Sequence, residues 1–430
     1  MPREREHPYL DRSPMFSRNT PDPMLLRGLT SRRLGRRDAL RIGGLSALGA
    51  ALAACGVEGK GTPAASVDSS TIATFWAGKS QNGKLDFANW PLYMDPEKPE
   101  LKAFTAKTGI EVNYQEVIQE MGPWFAKVQP QLSAKQDIGF DLMVITNGVQ
   151  FGQFRSAGFL APLDHTRLPN FTKNAAKTYT TEAFDPGNVF SVPWASGITG
   201  IAYDPAKVDR PITKLADLWD PAFKGKVGMM SDLTELANFG MLAAGVDPGT
   251  SDEAGWKKGA AKLQEQKDKG IVRQYYEQDY VDALGNGEVW ITQAWSGDIF
   301  QKNLSDGTNY KFVIPEEGGT IWTDNFTIPI TAANPVDAIT LIDYFYEVAN
   351  AAALAEYINY VCPVPAAQAQ MRSDAAELSG DEKKEMLEVA ESSLVFPSEA
   401  DYEKLHYYVS FNTAEEQQDF TKVFEPIVLG

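Results

Sequence analysis

The chain has 430 residues, 43% of them hydrophobic and 23% charged, so it can bury a large core and is neither disordered nor a disulfide-stapled miniprotein. Its formal charge is −17, and because the first 54 residues hold ten Arg and only five acids, the remainder carries about −22. An acidic excess of this size disfavours nucleic acid and favours cationic ligands, and the length allows one compact two-lobed body.

The N-terminal segment predicts export. Arg36 and Arg37 precede an apolar stretch over residues 42–54, and its 13 residues fall well short of the roughly 20 that span a bilayer. Small residues then lead into Cys55, as in the lipobox of bacterial lipoproteins. We therefore expect a twin-arginine lipoprotein signal over 1–55, with lipidation of Cys55 as the sole membrane anchor, at the outer face of the cytoplasmic membrane or in the periplasm. The alternative is a basic, disordered arm.

The segment 56–83 follows the signal. Its first part is rich in Gly, Ser, Thr, Pro and Ala, a composition typical of a flexible tether.

From Lys84 onward, strand-like and helix-like patterns alternate. Strands are predicted at 84–90, 110–114 and 141–145, and helices at 97–108, ended by Gly109, and 122–132. A second series repeats this order, with strands at 200–204, 226–230 and 289–294 and helices at 233–244 and 252–269. This order predicts an α/β fold with parallel sheets covered by helices, the second lobe being inserted into the first. Further helices are expected at 380–392 and 414–428.

Catalytic and metal-binding motifs are not evident. The part after the signal holds two histidines and, besides Cys55, one cysteine, Cys362, which we expect to be a small buried hydrophobe. No phosphate-binding, zinc or nucleophile motif occurs in its proper context, so no cofactor, metal or catalytic residue is predicted. An enzyme is the weaker hypothesis.

Seven short strings stand out along the chain, namely Phe87–Tyr93, Phe140–Val144, Ser191–Trp194, Leu215–Trp219, Gly287–Gly297, Glu316–Asp324 and Ile358–Tyr360. They occur in the order seen in bacterial spermidine/putrescine-binding proteins. The chain therefore resembles this family, and the resemblance covers roughly residues 84–370.

The resemblance implies a two-lobed periplasmic-binding-protein fold of type II with two hinge crossovers. Lobe 1 would comprise 84–200 and 325–385, and lobe 2 would comprise 201–324 and 386–430. It further implies a monomeric receptor that takes up a polyamine or similar small organic cation and delivers it to an ABC permease in the membrane.

The same resemblance implies a ligand site made of aromatic faces, a hydroxyl and carboxylates. Ring faces cover methylene groups and attract ammonium groups, while carboxylates pair with them. The residues that match are Trp90, Tyr93, Thr146, Asp232, Glu235, Trp295, Trp322, Asp324 and Tyr360. A simpler alternative exists for Asp232 and Glu235, which also form a capping box at a helix start, and Asp298 beside Trp295 is expected at the surface.

Departures from the family pattern leave the ligand open. Pro91 and Leu92 replace a hydroxyl and an acid, and Gly148 replaces a tyrosine, so one end of the site has lost polar contacts. Putrescine, another diamine or a different cation therefore remain alternatives. So does an exported receptor or enzyme on the same scaffold that recognises another ligand; a ferric-ion receptor is disfavoured by the scarcity of histidine.

Overall fold

The computed structural model describes residues 68–429, apart from Leu92, Glu120, Thr181, Ala183, Ser410 and Asn412. The predicted signal, the lipidation site Cys55 and the tether up to residue 67 lie outside the described residues. Within the described range, no helix combines the length and the apolar character needed to cross a membrane.

Ten strands of the described residues form one sheet. They are β1 (Lys84–Asn89), β2 (Glu111–Glu116), β3 (Leu142–Thr146), β4 (Ser191–Tyr203), β5 (Val227–Met230), β6 (Val272–Tyr276), β7 (Ile291–Trp295), β8 (Lys311–Val313), β9 (Gly319–Thr327) and β10 (Leu405–Tyr407). Their order is β2-β1-β3-β9-β4-β7-β5-β6, with β10 paired to β9 and β8 paired to β4.

Fifteen α-helices of the described residues surround this sheet. They are α1 (Ser69–Trp76), α2 (Pro99–Thr108), α3 (Met121–Ser133), α4 (Val149–Ser156), α5 (Pro169–Asn174), α6 (Leu233–Ala243), α7 (Glu253–Asp268), α8 (Tyr280–Gly285), α9 (Ser296–Asp306), α10 (Pro335–Phe345), α11 (Val348–Ile358), α12 (Ala366–Glu377), α13 (Gly380–Ala390), α14 (Glu399–Tyr402) and α15 (Ala414–Leu429).

Local sequence accounts for several of these boundaries. Helix α2 begins at Pro99, whose ring suits the first turn, and ends at Gly109, which adopts a left-handed conformation with φ of 76° and donates its N–H to Thr105. Helix α6 begins after Asp232, whose carboxylate accepts the N–H groups of Thr234 and Glu235, both at 2.9 Å. These signals place the predicted elements within a few residues of the observed ones.

The sheet is mixed, which corrects the prediction of parallel sheets. Strands β1, β2 and β3 are parallel to one another, as are β5, β6 and β7. The central strands β4 and β9, however, run antiparallel to each other, and β9 is antiparallel to β3 while β4 is antiparallel to β7. Local patterns predict that a segment is a strand but not the direction of its distant partner.

The two largest hydrophobic cores of the described residues lie along this sheet. The first includes Phe87 of β1 and Trp194 near the start of β4. The second includes Ile201 near the end of β4 and Phe239 of α6. Strand β4 therefore passes from one core to the other, and β4 and β9 are the two central, antiparallel strands of the two-lobed α/β body.

The boundaries differ from the prediction in two places. A packed helix, not a flexible tether, occupies Ser69–Trp76, because Trp76 enters the first core and its indole N–H donates to the carbonyl of Pro162 at 2.8 Å. Met386 and Val395, assigned by the prediction to lobe 2, also belong to the first core. The last part of the chain, including Phe420, belongs to the second core.

Candidate functional site

The central strand pair brings the candidate residues together. In the register of β3 with β9, Thr146 lies opposite Asp324, and in the register of β4 with β9, Trp322 lies opposite Gly197. Trp295, the last residue of β7, lies opposite Thr199 of β4. Carboxyl ends of strands are the usual ligand-binding edges of such sheets, and β3 and β7 both end here.

Asp324 is a buried carboxylate that accepts hydroxyl groups from two different elements. This residue is only 2% exposed. The hydroxyl of Tyr93 donates to Oδ2 at 2.5 Å, and the hydroxyl of Thr146 donates to Oδ1 at 2.5 Å. These contacts hold the carboxylate in a fixed orientation.

Glu235 is a second buried carboxylate, in the first turn of α6. Its Oε1 accepts the indole N–H of Trp295 at 2.5 Å, the hydroxyl of Thr199 at 3.0 Å and the hydroxyl of Tyr408. Its Oε2 is buried and has no hydrogen-bond partner among the described residues. Burial, and then the charge of Asp232, raise the pKa of Glu235 to about 7 although the three donors oppose this rise.

The two acids at the start of α6 thus have different surroundings. Asp232 caps the helix and is exposed, in agreement with the capping alternative, whereas Glu235 turns its carboxylate towards Trp295. A ligand contact of Asp232 stays a prediction.

Five aromatic rings form a continuous chain across the site. Ring centroids are 6.5 Å apart for Trp90 and Tyr93, 6.2 Å for Tyr93 and Tyr360, 5.4 Å for Tyr360 and Trp322, and 6.5 Å for Trp322 and Trp295. The structure therefore brings together all five aromatic residues named from the sequence. Tilted and edge-to-face pairs at such distances are favourable arrangements for aromatic side chains.

Two glycines make room for this chain. A Cβ atom on Gly197 would lie 2.1 Å from the ring of Trp322, and one on Gly297 would lie 2.7 Å from the ring of Tyr360. Both distances are far below a van der Waals contact, so any side chain at either position would displace a ring.

Asp298 is a third buried carboxylate, and the expectation that it lies at the surface is wrong. It is only 1% exposed, because the first turn of α9 directs it towards α8, where the hydroxyl of Tyr280 donates to its Oδ2 at 2.8 Å. The hydroxyl of Tyr360 donates to its Oδ1 at 3.5 Å. A sequence signal could have identified this residue. Asp298 lies three residues after Trp295, at the beginning of a helix that follows a strand.

Tyr408 is the other residue that the sequence did not identify. It directly follows β10 and reaches Glu235 from the C-terminal segment, for which the sequence assigned no role. Because the pairing of β10 with β9 spans more than eighty residues of chain, no local pattern could reveal this contact.

The thiol of Cys362 does not contribute reactivity. It is buried in the first core and donates to the carbonyl of Val364 at 3.5 Å, and burial raises its pKa to about 12. This confirms the expectation of a small buried hydrophobe. No group of three or more His, Cys, Asp or Glu side chains within the described part of the chain is placed to hold a metal ion.

Comparison with solved structures identifies the fold. The spermidine/putrescine ABC transporter substrate-binding protein of Streptococcus pneumoniae superimposes with a TM-score of 0.67 at 24% identity, over 81% of this chain and 98% of that one. The lipoprotein Tp0655 of Treponema pallidum gives a TM-score of 0.65 at 19% identity, over 80% and 99% of the two chains. The protein therefore has the periplasmic-binding-protein type II fold.

Comparison of sequences identifies the family. The spermidine/putrescine-binding periplasmic protein of Salmonella typhimurium is 30% identical over 302 residues, which are 70% of this chain and 83% of the relative. A putrescine/agmatine-binding protein of Pseudomonas aeruginosa is 28% identical, over 66% of this chain and 78% of the relative. The profile of bacterial extracellular solute-binding proteins matches residues 101–382. The chain belongs to the family of bacterial extracellular solute-binding proteins.

Proposed function

We propose that the protein captures a polyamine, or a small organic cation of similar chemistry, between its two lobes and delivers it to an ABC permease. The observation that carries this proposal is the set of three buried carboxylates, Glu235, Asp298 and Asp324, gathered around the aromatic chain. Burial disfavours the charged form of a carboxylate, and a cationic ligand would offset this cost.

Glu235 makes the electrostatic argument most directly. None of the ion pairs between described residues involves Glu235, and its Oε2 is buried without a hydrogen-bond partner. An ammonium group would supply both the missing donor and the missing charge. The faces of Trp295 and Trp322 would cover the methylene groups, and ring faces also attract an ammonium group by about 0.5–2 kcal/mol.

The relatives support the same ligand class. The Salmonella protein is described as binding spermidine and putrescine, and the Pseudomonas protein as binding putrescine and agmatine. All of these ligands carry cationic nitrogen groups along an aliphatic chain. The departures at Pro91 and Gly148 concern one end of the site, so the length of the preferred amine is the property that the experiment must determine.

Isothermal titration against putrescine, cadaverine, spermidine and spermine tests the proposal. The protein is first freed of carried-over ligand by unfolding and refolding, and its refolded state is verified by circular dichroism. We expect one-to-one binding of at least one amine. Folded, ligand-free protein that gives no heat with any of the four would refute the polyamine assignment while leaving the fold intact.

A double variant tests the site itself. Asp324→Asn with Glu235→Gln removes two buried charges but preserves shape, and we expect affinity to fall by at least a hundredfold, since a buried charged hydrogen bond contributes about 1.5–3 kcal/mol. The matched control is Glu97→Gln with Asp419→Asn, which removes two charges from side chains that are 86% and 44% exposed. Equal affinities of the two double variants would contradict the site assignment.

The mechanism follows from two lobes that the ligand bridges. The rings of Trp90 and Tyr93 belong to the first half of the sheet, and Glu235 belongs to the second, so a bound cation favours the arrangement that brings them together. Small-angle scattering should show a smaller radius of gyration when the amine is added, and an unchanged radius at saturating amine would contradict closure.

Anchoring and assembly form the remaining part of the proposal. We infer that Cys55 is lipidated, that the exported protein is held at the membrane by this lipid alone, and that it acts as a monomer without catalytic activity. Cys55→Ser should move the protein from the membrane fraction to the soluble fraction, and light scattering should give the mass of one chain. Retention of the variant in the membrane fraction would contradict the lipid anchor.

A further inference from the structure

The C-terminal segment contributes to the proposed cation site around Glu235. This segment lies beyond the family match, which ends at residue 382. Strand β10 adds to the central strand β9 in parallel, with Leu405 opposite Gly319 and Tyr407 opposite Ile321. Tyr408 is the next residue and crosses to α6. The N–H of Val409, which follows it, donates to the side chain of Asn238 at 3.4 Å. These contacts fix the path of the chain where Tyr408 leaves the sheet.

The hydroxyl of Tyr408 completes one side of the Glu235 carboxylate. Three donors from three different parts of the chain converge on Oε1, namely the hydroxyl of Thr199 on β4, the indole N–H of Trp295 on β7 and the hydroxyl of Tyr408. A carboxylate oxygen has two lone pairs, so three donors saturate it. Oε2 is buried and has no hydrogen-bond partner among the described residues, so it is the oxygen that still has lone pairs for a further donor.

We propose that Tyr408 is a positioning residue of the cation site, whose hydroxyl holds Glu235 so that Oε2 alone is presented to an ammonium group. This inference rests on the proposed function for the identity of the ligand. The orientation of Glu235 by Tyr408 does not depend on which ligand binds.

The charges around Glu235 determine how the proposal can be tested. The titratable groups that face it are Asp232 at the start of α6 and Tyr408, whereas Thr199 and Trp295 are neutral donors. Burial and the neighbouring Glu235 raise the pKa of Tyr408 well above its ordinary value, so the phenol stays protonated and remains a donor. The Tyr408 hydroxyl in turn lowers the pKa of Glu235, so its loss should make the carboxyl group harder to ionise.

The test compares Tyr408→Phe with the parent in the full chain, over pH 6 to 9, with putrescine and spermidine as probes. We expect the variant to bind about tenfold more weakly near pH 6, where fewer of its Glu235 groups are ionised, and within about twofold of the parent at pH 9. Loss of packing alone would weaken binding by the same factor at every pH. A parallel displacement of the two affinity curves, or identical curves, would therefore overturn the proposal.

Tyr407→Phe is the matched control. Tyr407 is the last residue of β10 and directly precedes Tyr408. Its ring packs against Phe184 with centroids 6.2 Å apart, so its side chain is directed away from Glu235. We expect this variant to follow the parent curve in shape. A Tyr407→Phe variant with the same pH-dependent loss as Tyr408→Phe would also overturn the proposal.

A second measurement separates this proposal from the proposed function. The carboxyl carbon of Glu235, identified in ¹³C-glutamate spectra by its absence from Glu235→Gln, can be titrated without ligand. We expect Tyr408→Phe to raise its midpoint, and an unchanged midpoint would overturn the positioning role. If the parent binds neither amine, the proposed ligand is wrong, but a raised midpoint would still support the control of Glu235 by Tyr408.

Discussion

Glu235→Gln should change how the stability of the ligand-free protein depends on pH. The carboxyl group has a pKa of about 7 in the folded chain against a reference value of 4.5, with burial as the largest cause and Asp232 as the second. Because the folded state binds this proton more tightly than the unfolded state, the associated stability is fully present below about pH 4.5 and is lost as the pH rises through 7. At about 1.4 kcal/mol for each pH unit, the loss amounts to about 3 kcal/mol.

Urea denaturation of parent and variant at pH 5, 6, 7 and 8 measures this effect. The parent should lose roughly 2.5 kcal/mol between pH 5 and pH 8 relative to Glu235→Gln, since the amide cannot ionise. Other acids contribute to both proteins and cancel in the difference. Glu97→Gln, which removes a glutamate that is 86% exposed, should follow the parent.

Parallel stability curves for parent and Glu235→Gln would refute the reasoning, because they would show that burial does not disfavour the ionised carboxylate. Saturating amine provides a second check. A cation paired with Oε2 should cancel the loss above pH 7, so that the stabilisation by the ligand is larger at pH 8 than at pH 5 in the parent but not in the variant.

Two further predictions concern the packing around the aromatic chain. Gly197→Ala should lower stability by about 1–3 kcal/mol and alter the near-ultraviolet circular dichroism of tryptophan, because the new Cβ would lie 2.1 Å from the ring of Trp322. The control is Gly122→Ala, whose new Cβ would lie 3.9 Å from the nearest neighbouring side chain. A fully stable Gly197→Ala protein would contradict the close approach of the ring to Gly197. Tyr360→Phe should weaken amine binding several-fold with little loss of stability, because the ring is kept while the hydroxyl that donates to Asp298 is lost. Titration calorimetry measures the change in affinity. Unchanged affinity would show that this hydroxyl does not orient Asp298 for the ligand.

Much of the local structure could be predicted from the sequence. The apolar run before Thr146 forms β3, the Gly109 terminator ends α2, and Asp232 caps α6, because each depends on interactions within a few residues. The aromatic residues of the site could likewise be named from short strings around Trp295 and Trp322. The structure brings these residues together in one continuous chain of rings.

The tertiary structure decided what depends on residues distant in the sequence. The antiparallel course of β4 and β9, the burial of Asp298 against Tyr280 and the contact of Tyr408 with Glu235 each join segments that local patterns treat as independent. The sequence by itself determined which segments would form strands and helices, and it supplied the aromatic and acidic candidates for the site. Only the folded chain decided which carboxylates are buried and which oxygen of Glu235 is left without a donor, because burial and hydrogen-bond saturation are properties of the assembled surroundings.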